Sequence, residues 1–173
     1  NIEEGKGDKV AIYFEEQRLT YNDIQHMVNR FGNALKGLGI GMENRIAILL
    51  PDCPEWIACF FGAIKIGAVA VPLNTMMHPK DYEYLLNDSR AQVLVVSDDL
   101  MEQIEGVRGN LKHLKHIVVV GEVKGEQLSY HQMAGSASPQ LEAADTSKDD
   151  VSFWLYTSGS TGQPKGAVHL HHD

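Results

Sequence analysis

With 173 residues, 43% of them apolar and 22% charged, the chain is long enough to bury a core and has the composition of a folded globular protein rather than a disordered one. Fifteen Lys and Arg against 23 Asp and Glu give a formal net charge of −8, which excludes a generally basic surface for nucleic acid or anionic membrane. Any anion site must therefore be local.

Residues 10–14 alternate at the strand period, and residues 18–20 resume it after Glu15-Glu16-Gln17, which predicts a hairpin whose turn lacks glycine. Asn22 or Asp23 is placed to cap a helix in which Ile24, Met27, Val28, Phe31, Leu35 and Leu38 fall at helical spacing, with Gly39 as its stop. Residues 45–50 form a short apolar run bounded by Gly41 and Pro51, the pattern of a buried strand.

Asp52 is the expected N-cap of the next helix, with Pro54 in its first turn. Its apolar stripe of Trp56, Ile57, Phe60, Phe61 and Ile64 reads as core rather than as a cofactor box. Residues 56–73 are almost wholly apolar and approach the ~20 residues that a membrane-spanning helix needs. Gly62, Lys65, Gly67 and Pro72 interrupt the run, so the expectation is a buried helix ending near Gly67 and a buried strand over 68–71 rather than a span. Strand, helix and strand then make one parallel crossover, right-handed by rule.

The alternation continues with a helix over 79–87, a strand over 93–96, a shorter helix over 100–107 and a strand over 117–120. Continuous apolar strands between helices predict an α/β fold, a mainly parallel sheet flanked by helices on both faces. From 121 to 150 the pattern thins to a surface connection with one short helix around 130–133. Cys53 and Cys59 have no partners for a metal set and read as reduced thiols in a cytoplasmic protein without a signal peptide.

The most informative stretch follows an apolar run, 151–155, that reads as a buried strand. It is Tyr156-Thr157-Ser158-Gly159-Ser160-Thr161-Gly162-Gln163-Pro164-Lys165-Gly166. Glycines let backbone N–H groups converge on an anion, the hydroxyls of Thr157, Ser158, Ser160 and Thr161 add short-reach donors, and Lys165 adds a full charge. The spacing is not that of the Walker loop, and Ala167 to Leu170 reads as a strand, so no helix dipole contributes. A polar loop between two strands is the bland alternative. Pro-Lys-Gly placed after two glycines and four hydroxyls favours phosphate.

This string resembles the phosphate-binding motif of the AMP-forming adenylate-forming enzymes, which include acyl-CoA synthetases, peptide-synthetase adenylation domains and beetle luciferases. Leu19-Thr20-Tyr21 before a helix, and residues 65–74 ending in Pro72-Leu73-Asn74, resemble the family's first and second motifs. Residues 81–91, the Phe153-Trp154-Leu155-Tyr156 lead and the His169-Leu170-His171-His172-Asp173 tail look most like the benzoate-CoA ligase branch.

The resemblance implies the N-terminal part of the large domain of an acyl-CoA synthetase, with residues 1–173 a partial domain ending just after the phosphate loop. It implies ATP, Mg2+ and CoA as substrates with a small carboxylate such as benzoate. Thr157, Ser158, Gly159, Ser160, Thr161, Gly162 and Lys165 would form the phosphate cradle, Lys165 ordering the loop as much as touching the ligand. The main catalytic residues are expected beyond Asp173, so this fragment is expected to be inactive alone and to self-associate through apolar surface left uncovered. A non-catalytic anion-binding or interaction module, and a peptide-synthetase-type adenylation domain, are the alternatives. The histidines 169, 171 and 172 are read as following the loop, not as metal ligands, and Asp173 as the cap of a next helix.

Overall fold

The computed structural model describes residues 2–157 and 162–173. A two-stranded hairpin, β1 (Val10–Phe14) and β2 (Gln17–Thr20), stands apart from the main sheet, and Glu15 supplies the turn with a φ of 50° where a glycine was lacking. Helix α1 (Tyr21–Gly37) follows directly. Its N-cap is Thr20, not Asn22 or Asp23: the Thr20 hydroxyl accepts from the Asp23 N–H at 3.2 Å while the Asp23 carboxylate accepts from the Thr20 N–H at 2.8 Å. Because Thr20 is also the last strand residue, its capping role is hidden in the strand pattern.

Strand β3 (Arg45–Leu49) leads to helix α2 (Pro54–Lys65), which Cys53 rather than Asp52 caps, and then to strand β4 (Val69–Pro72). Both helices end in the same reciprocal pattern: Ile40 N–H reaches Leu35 and Gly39 N–H reaches Lys36, as Ala68 reaches Ala63 and Gly67 reaches Ile64. Helix α3 (Pro79–Asp88), strand β5 (Val93–Ser97), the short helix α4 (Met101–Glu105) and strand β6 (His116–Val120) continue the alternation. No helix among the described residues is long and apolar enough to cross a membrane.

The sheet has the order β7-β6-β5-β3-β4-β8-β9, where β7 is Leu128–Ser129, β8 is Val151–Thr157 and β9 is Lys165–Leu170. All neighbours run parallel except β8 and β9. Its strands are apolar on both sides because they feed two cores. Ile46, Ile48, Val93 and Val95 face α1, α2 and α5 (Tyr130–Ser136), whereas Ala47, Leu49, Leu94 and Val96 face α3 and α4. Each fully buried Ile or Leu contributes about 1.5–3 kcal/mol by leaving water.

Three further expectations need correction. The buried face of α2 is its small residues, Ala58, Cys59, Gly62 and Ala63, while Trp56, Ile57, Phe60 and Ile64 are half-buried and Phe61 is 51% exposed. Close approach of α1 selects the small residues for full burial, while Trp56, Phe60 and Ile64 still pack against the same core, as expected. Strand β8 is not buried throughout, since only Ser152 is fully covered and Leu155 is 41% exposed.

The segment after β6 is also more than a surface connection. Besides the expected short helix, found as α5, it adds β7 and then a strap held by α1. Asn29 donates to the Pro139 carbonyl at 2.7 Å, Arg30 to Ala137 at 2.6 Å, and Asn33 to Ser138 and Gln140 at 2.9 and 2.8 Å. Lys65, which interrupts the apolar run, donates to the Asn29 side-chain amide oxygen at 2.8 Å.

Candidate phosphate-binding site

Strand β8 lies parallel to β4 through Ala70 and Phe153, then returns as β9 in an antiparallel ladder that ends at the pairs Tyr156 with Gly166 and Thr157 with Lys165. The glycine- and hydroxyl-rich stretch is therefore the loop of this hairpin, set at the carboxyl end of a strand in a mainly parallel sheet, where α/β proteins place their ligands. Thr157 and Lys165 stand at its mouth, both exposed, with the Thr157 hydroxyl donating to the Lys165 carbonyl at 3.5 Å. Gly162 has a φ of 154° with open space where a Cβ would be, so its backbone conformation favours glycine. The predicted cradle residues Ser158, Gly159, Ser160 and Thr161 lie outside the described residues.

Helix α3 meets both limbs of this loop. The Tyr84 hydroxyl donates to the Pro164 carbonyl at 3.1 Å, and the Tyr156 hydroxyl donates to the Asp88 carboxylate at 2.6 Å. Burial, and then the Asp88 carboxylate beside it, push the Tyr156 phenol well above its ordinary range, so it remains a proton donor. Beneath them the Arg45 guanidinium lies over the Trp154 ring at 5.9 Å while donating to the Ser89 carbonyl at 2.8 Å and the Glu43 carbonyl at 2.9 Å. On the opposite face of β8, Phe153 stacks on His169 at 4.5 Å and packs on Phe60 at 5.4 Å.

Residues 81–91 carried a family resemblance, but no role beside the loop could be read for Tyr84, Asp88 or Arg45, because Pro164, Tyr156 and Trp154 are distant along the chain. His169 faces Asp173 at 3.4 Å, and His172 lies 2.8 Å from the Lys148 carbonyl. The Asp173 carboxylate accepts from the Leu170 N–H at 2.9 Å and so closes the end of β9.

Two cavities bear on the site. A groove of about 550 Å3 runs along the carboxyl ends of β3, β4 and β8, lined by Pro51, Trp56, Leu73, Asn74, Leu155 and Tyr156, and adjoins the first limb of the loop. A roomier one, about 780 Å3, lies beside α4 and β7. Its walls carry Asp98, Asp99, Glu102, Glu105, Glu122 and Glu126 against only Arg108 and Lys124, the wrong sign for phosphate. Among the described residues the smaller groove is lined by no cationic side chain, Asp52 being its one charged lining residue, and it is singled out by its position beside Tyr156.

The sequence pattern of AMP-binding enzymes matches residues 2–173. The chain belongs to the AMP-binding enzyme family. This AMP-binding family member is 40% identical over 174 residues to the benzoate–CoA ligase of Thauera aromatica, covering 100% of this chain and 33% of that protein. It is 37% identical over 171 residues to the 4-hydroxybenzoate–CoA/benzoate–CoA ligase of Rhodopseudomonas palustris, covering 99% of this chain and 32% of that one. Among solved structures it superposes on the anthranilate CoA ligase AuaEII in complex with anthranoyl-AMP with a TM-score of 0.94 and 40% identity, over 96% of this chain and 32% of that chain. A benzoate CoA ligase from Burkholderia xenovorans LB400 gives 0.85 and 30%, over 99% and 33%. The family member described here thus spans about a third of the length of these relatives.

Proposed function

We propose that this chain is part of an ATP-dependent, AMP-forming acid–CoA ligase and that its β8–β9 loop holds the β- and γ-phosphates of Mg-ATP. The observation that carries the reading is the Thr157–Lys165 pair at the mouth of a glycine- and hydroxyl-rich loop, at the carboxyl end of β8, in a chain that AMP-binding enzymes match along its length. In the reaction, a carboxylate oxygen attacks the α-phosphorus, the bond to the β-phosphate oxygen breaks, and pyrophosphate leaves with the electron pair. The thiol of CoA, losing its proton, then attacks the acyl carbon, and AMP leaves. Negative charge builds on the departing pyrophosphate, so N–H groups and hydroxyls from Thr157 to Gly162, with Lys165, lower the first barrier by donating to it. Mg2+ enters as part of the nucleotide substrate.

An aromatic acid of the benzoate type is the substrate that the relatives support, at 40% and 37% identity to benzoate-using ligases. Crotonobetaine/carnitine and long-chain-fatty-acid CoA ligases stand at 33% and 34%. Since about two-thirds of each relative lies outside the match, the reading has these 173 residues binding phosphate without turning over. Two free thiols, Cys53 and Cys59, suit a reducing compartment such as the cytoplasm. Exposed apolar side chains, Phe61, Leu155 and Val168 among them, support self-association, and a monomer at high concentration by light scattering would count against it.

Calorimetric titration with pyrophosphate and with Mg-ATP tests the phosphate assignment. Lys165→Ala is expected to weaken pyrophosphate binding about tenfold, the effect of losing one charged hydrogen-bond partner. Equal affinity in the variant and the wild type would rule out the assigned loop.

A further inference from the structure

We propose that helix α3 is the positioning element of the phosphate loop, with the Tyr84 hydroxyl and the Asp88 carboxylate fixing its two limbs through Pro164 and Tyr156. The inference rests on the phosphate reading above and assigns it residues outside the motif. Tyr84 and Asp88 are four apart on α3 and so lie on one face of the helix. That face receives both limbs: the outgoing one at Tyr156, next to Thr157, and the returning one at Pro164, next to Lys165.

Holding the Pro164 carbonyl at 3.1 Å fixes the peptide plane from which Lys165 begins. The short bond from Tyr156 to Asp88, 2.6 Å, has a charged acceptor and is the stronger of the two. Helix α3 is a rigid base for both, because Tyr82, Leu85 and Leu86 are buried in the sheet and the Asp81 carboxylate accepts from the His78 N–H at 3.1 Å. Fixing the backbone on either side of a ligand-binding segment before the ligand arrives lowers the ordering cost of binding. Asp88 is exposed, and Tyr84 is half-buried with its ring against the core on the α3 side, a contact that Tyr84→Phe keeps while removing the hydroxyl that reaches Pro164.

The experiment uses pyrophosphate as ligand and the variants Tyr84→Phe, Asp88→Ala and Asp88→Asn, the last of which keeps an oxygen acceptor for Tyr156. Tyr84→Phe and Asp88→Ala are each expected to raise the pyrophosphate Kd about fivefold, as loss of one hydrogen bond implies, with Asp88→Asn restoring most of it. Hydrogen exchange at the amides of Gly162, Gln163, Lys165 and Gly166 should quicken in the same two variants while the melting temperature stays close to wild type. Unchanged exchange, or quickened exchange with unchanged pyrophosphate affinity, would overturn the positioning role. A wild type that does not bind pyrophosphate would instead bring down the phosphate reading, and this inference with it.

Discussion

Gly32 of α1 and Gly62 of α2 face each other where the two helices cross. A Cβ on Gly62 would lie 3.2 Å from the Gly32 nitrogen and 3.0 Å from the Val28 carbonyl oxygen, and one on Gly32 would lie 3.1 Å from the Gly62 carbonyl. The contact is backbone against backbone and explains why α2 buries its small residues. Gly62→Val is expected to destabilise the chain by about 3 kcal/mol through overpacking. Gly37→Ala, at a helical site with open space, is expected to stabilise it by up to about 1 kcal/mol through helix propensity. Urea unfolding of both variants checks the contrast; equal effects would mean that the helices can move apart.

The start of α1 carries a pH signature. Hydrogen bonds from the Thr20 hydroxyl, and then from the Thr20 N–H, hold the Asp23 carboxyl below its usual value. A depressed folded-state pKa stabilises the fold above the unfolded value and loses that contribution as pH falls through the folded one. The stability gap between wild type and Asp23→Ala should therefore be full near neutral pH and shrink from about pH 5 to about pH 2. Thr20→Ala should cost about 1 kcal/mol at neutral pH. Denaturation across this range is the measurement, and a gap that persists at the acid end would contradict the cap.

Asn29 is 6% exposed and joins three segments, accepting from Lys65 and donating to Pro139. Asn29→Ala leaves both partners to find other bonds, which should cost about 2 kcal/mol. It should also free the strap beyond α5 for protease cleavage between 137 and 147. Limited proteolysis followed by mass measurement reads the site, and cleavage elsewhere first would show that α1 does not hold the strap.

Burial pushes the Cys59 thiol well above its ordinary value, and burial raises Cys53 to a lesser degree. Both should react slowly with a thiol-specific chromogenic disulfide near neutral pH, Cys59 only after unfolding. The sign of the linkage is the reverse of that at Asp23. Above about pH 9 the unfolded thiol of residue 59 ionises while the folded one does not, so stability falls as pH rises. Two fast-reacting thiols in the native chain would refute the burial of α2's inner face.

The parallel α/β core was legible in the sequence because β3, β5 and β6 feed two apolar layers and so show runs such as Ile46-Ala47-Ile48-Leu49 without alternation. The stretch proposed as the phosphate loop stood out for a similar reason: glycine, hydroxyl and lysine chemistry is local and survives in a linear string. Residues with two roles were harder to read. Thr20 ends a strand and caps a helix, and α2 turns its small face inward because of a neighbour that its own periodicity does not contain. Tertiary structure alone decided what holds the loop. Tyr84 meets Pro164 across 80 positions and Asp88 meets Tyr156 across 68, separations at which no local pattern can register a hydrogen bond. Propensity and motif chemistry are properties of neighbouring residues, whereas the docking of β8 and β9 on α3 exists only once the sheet has set their distance.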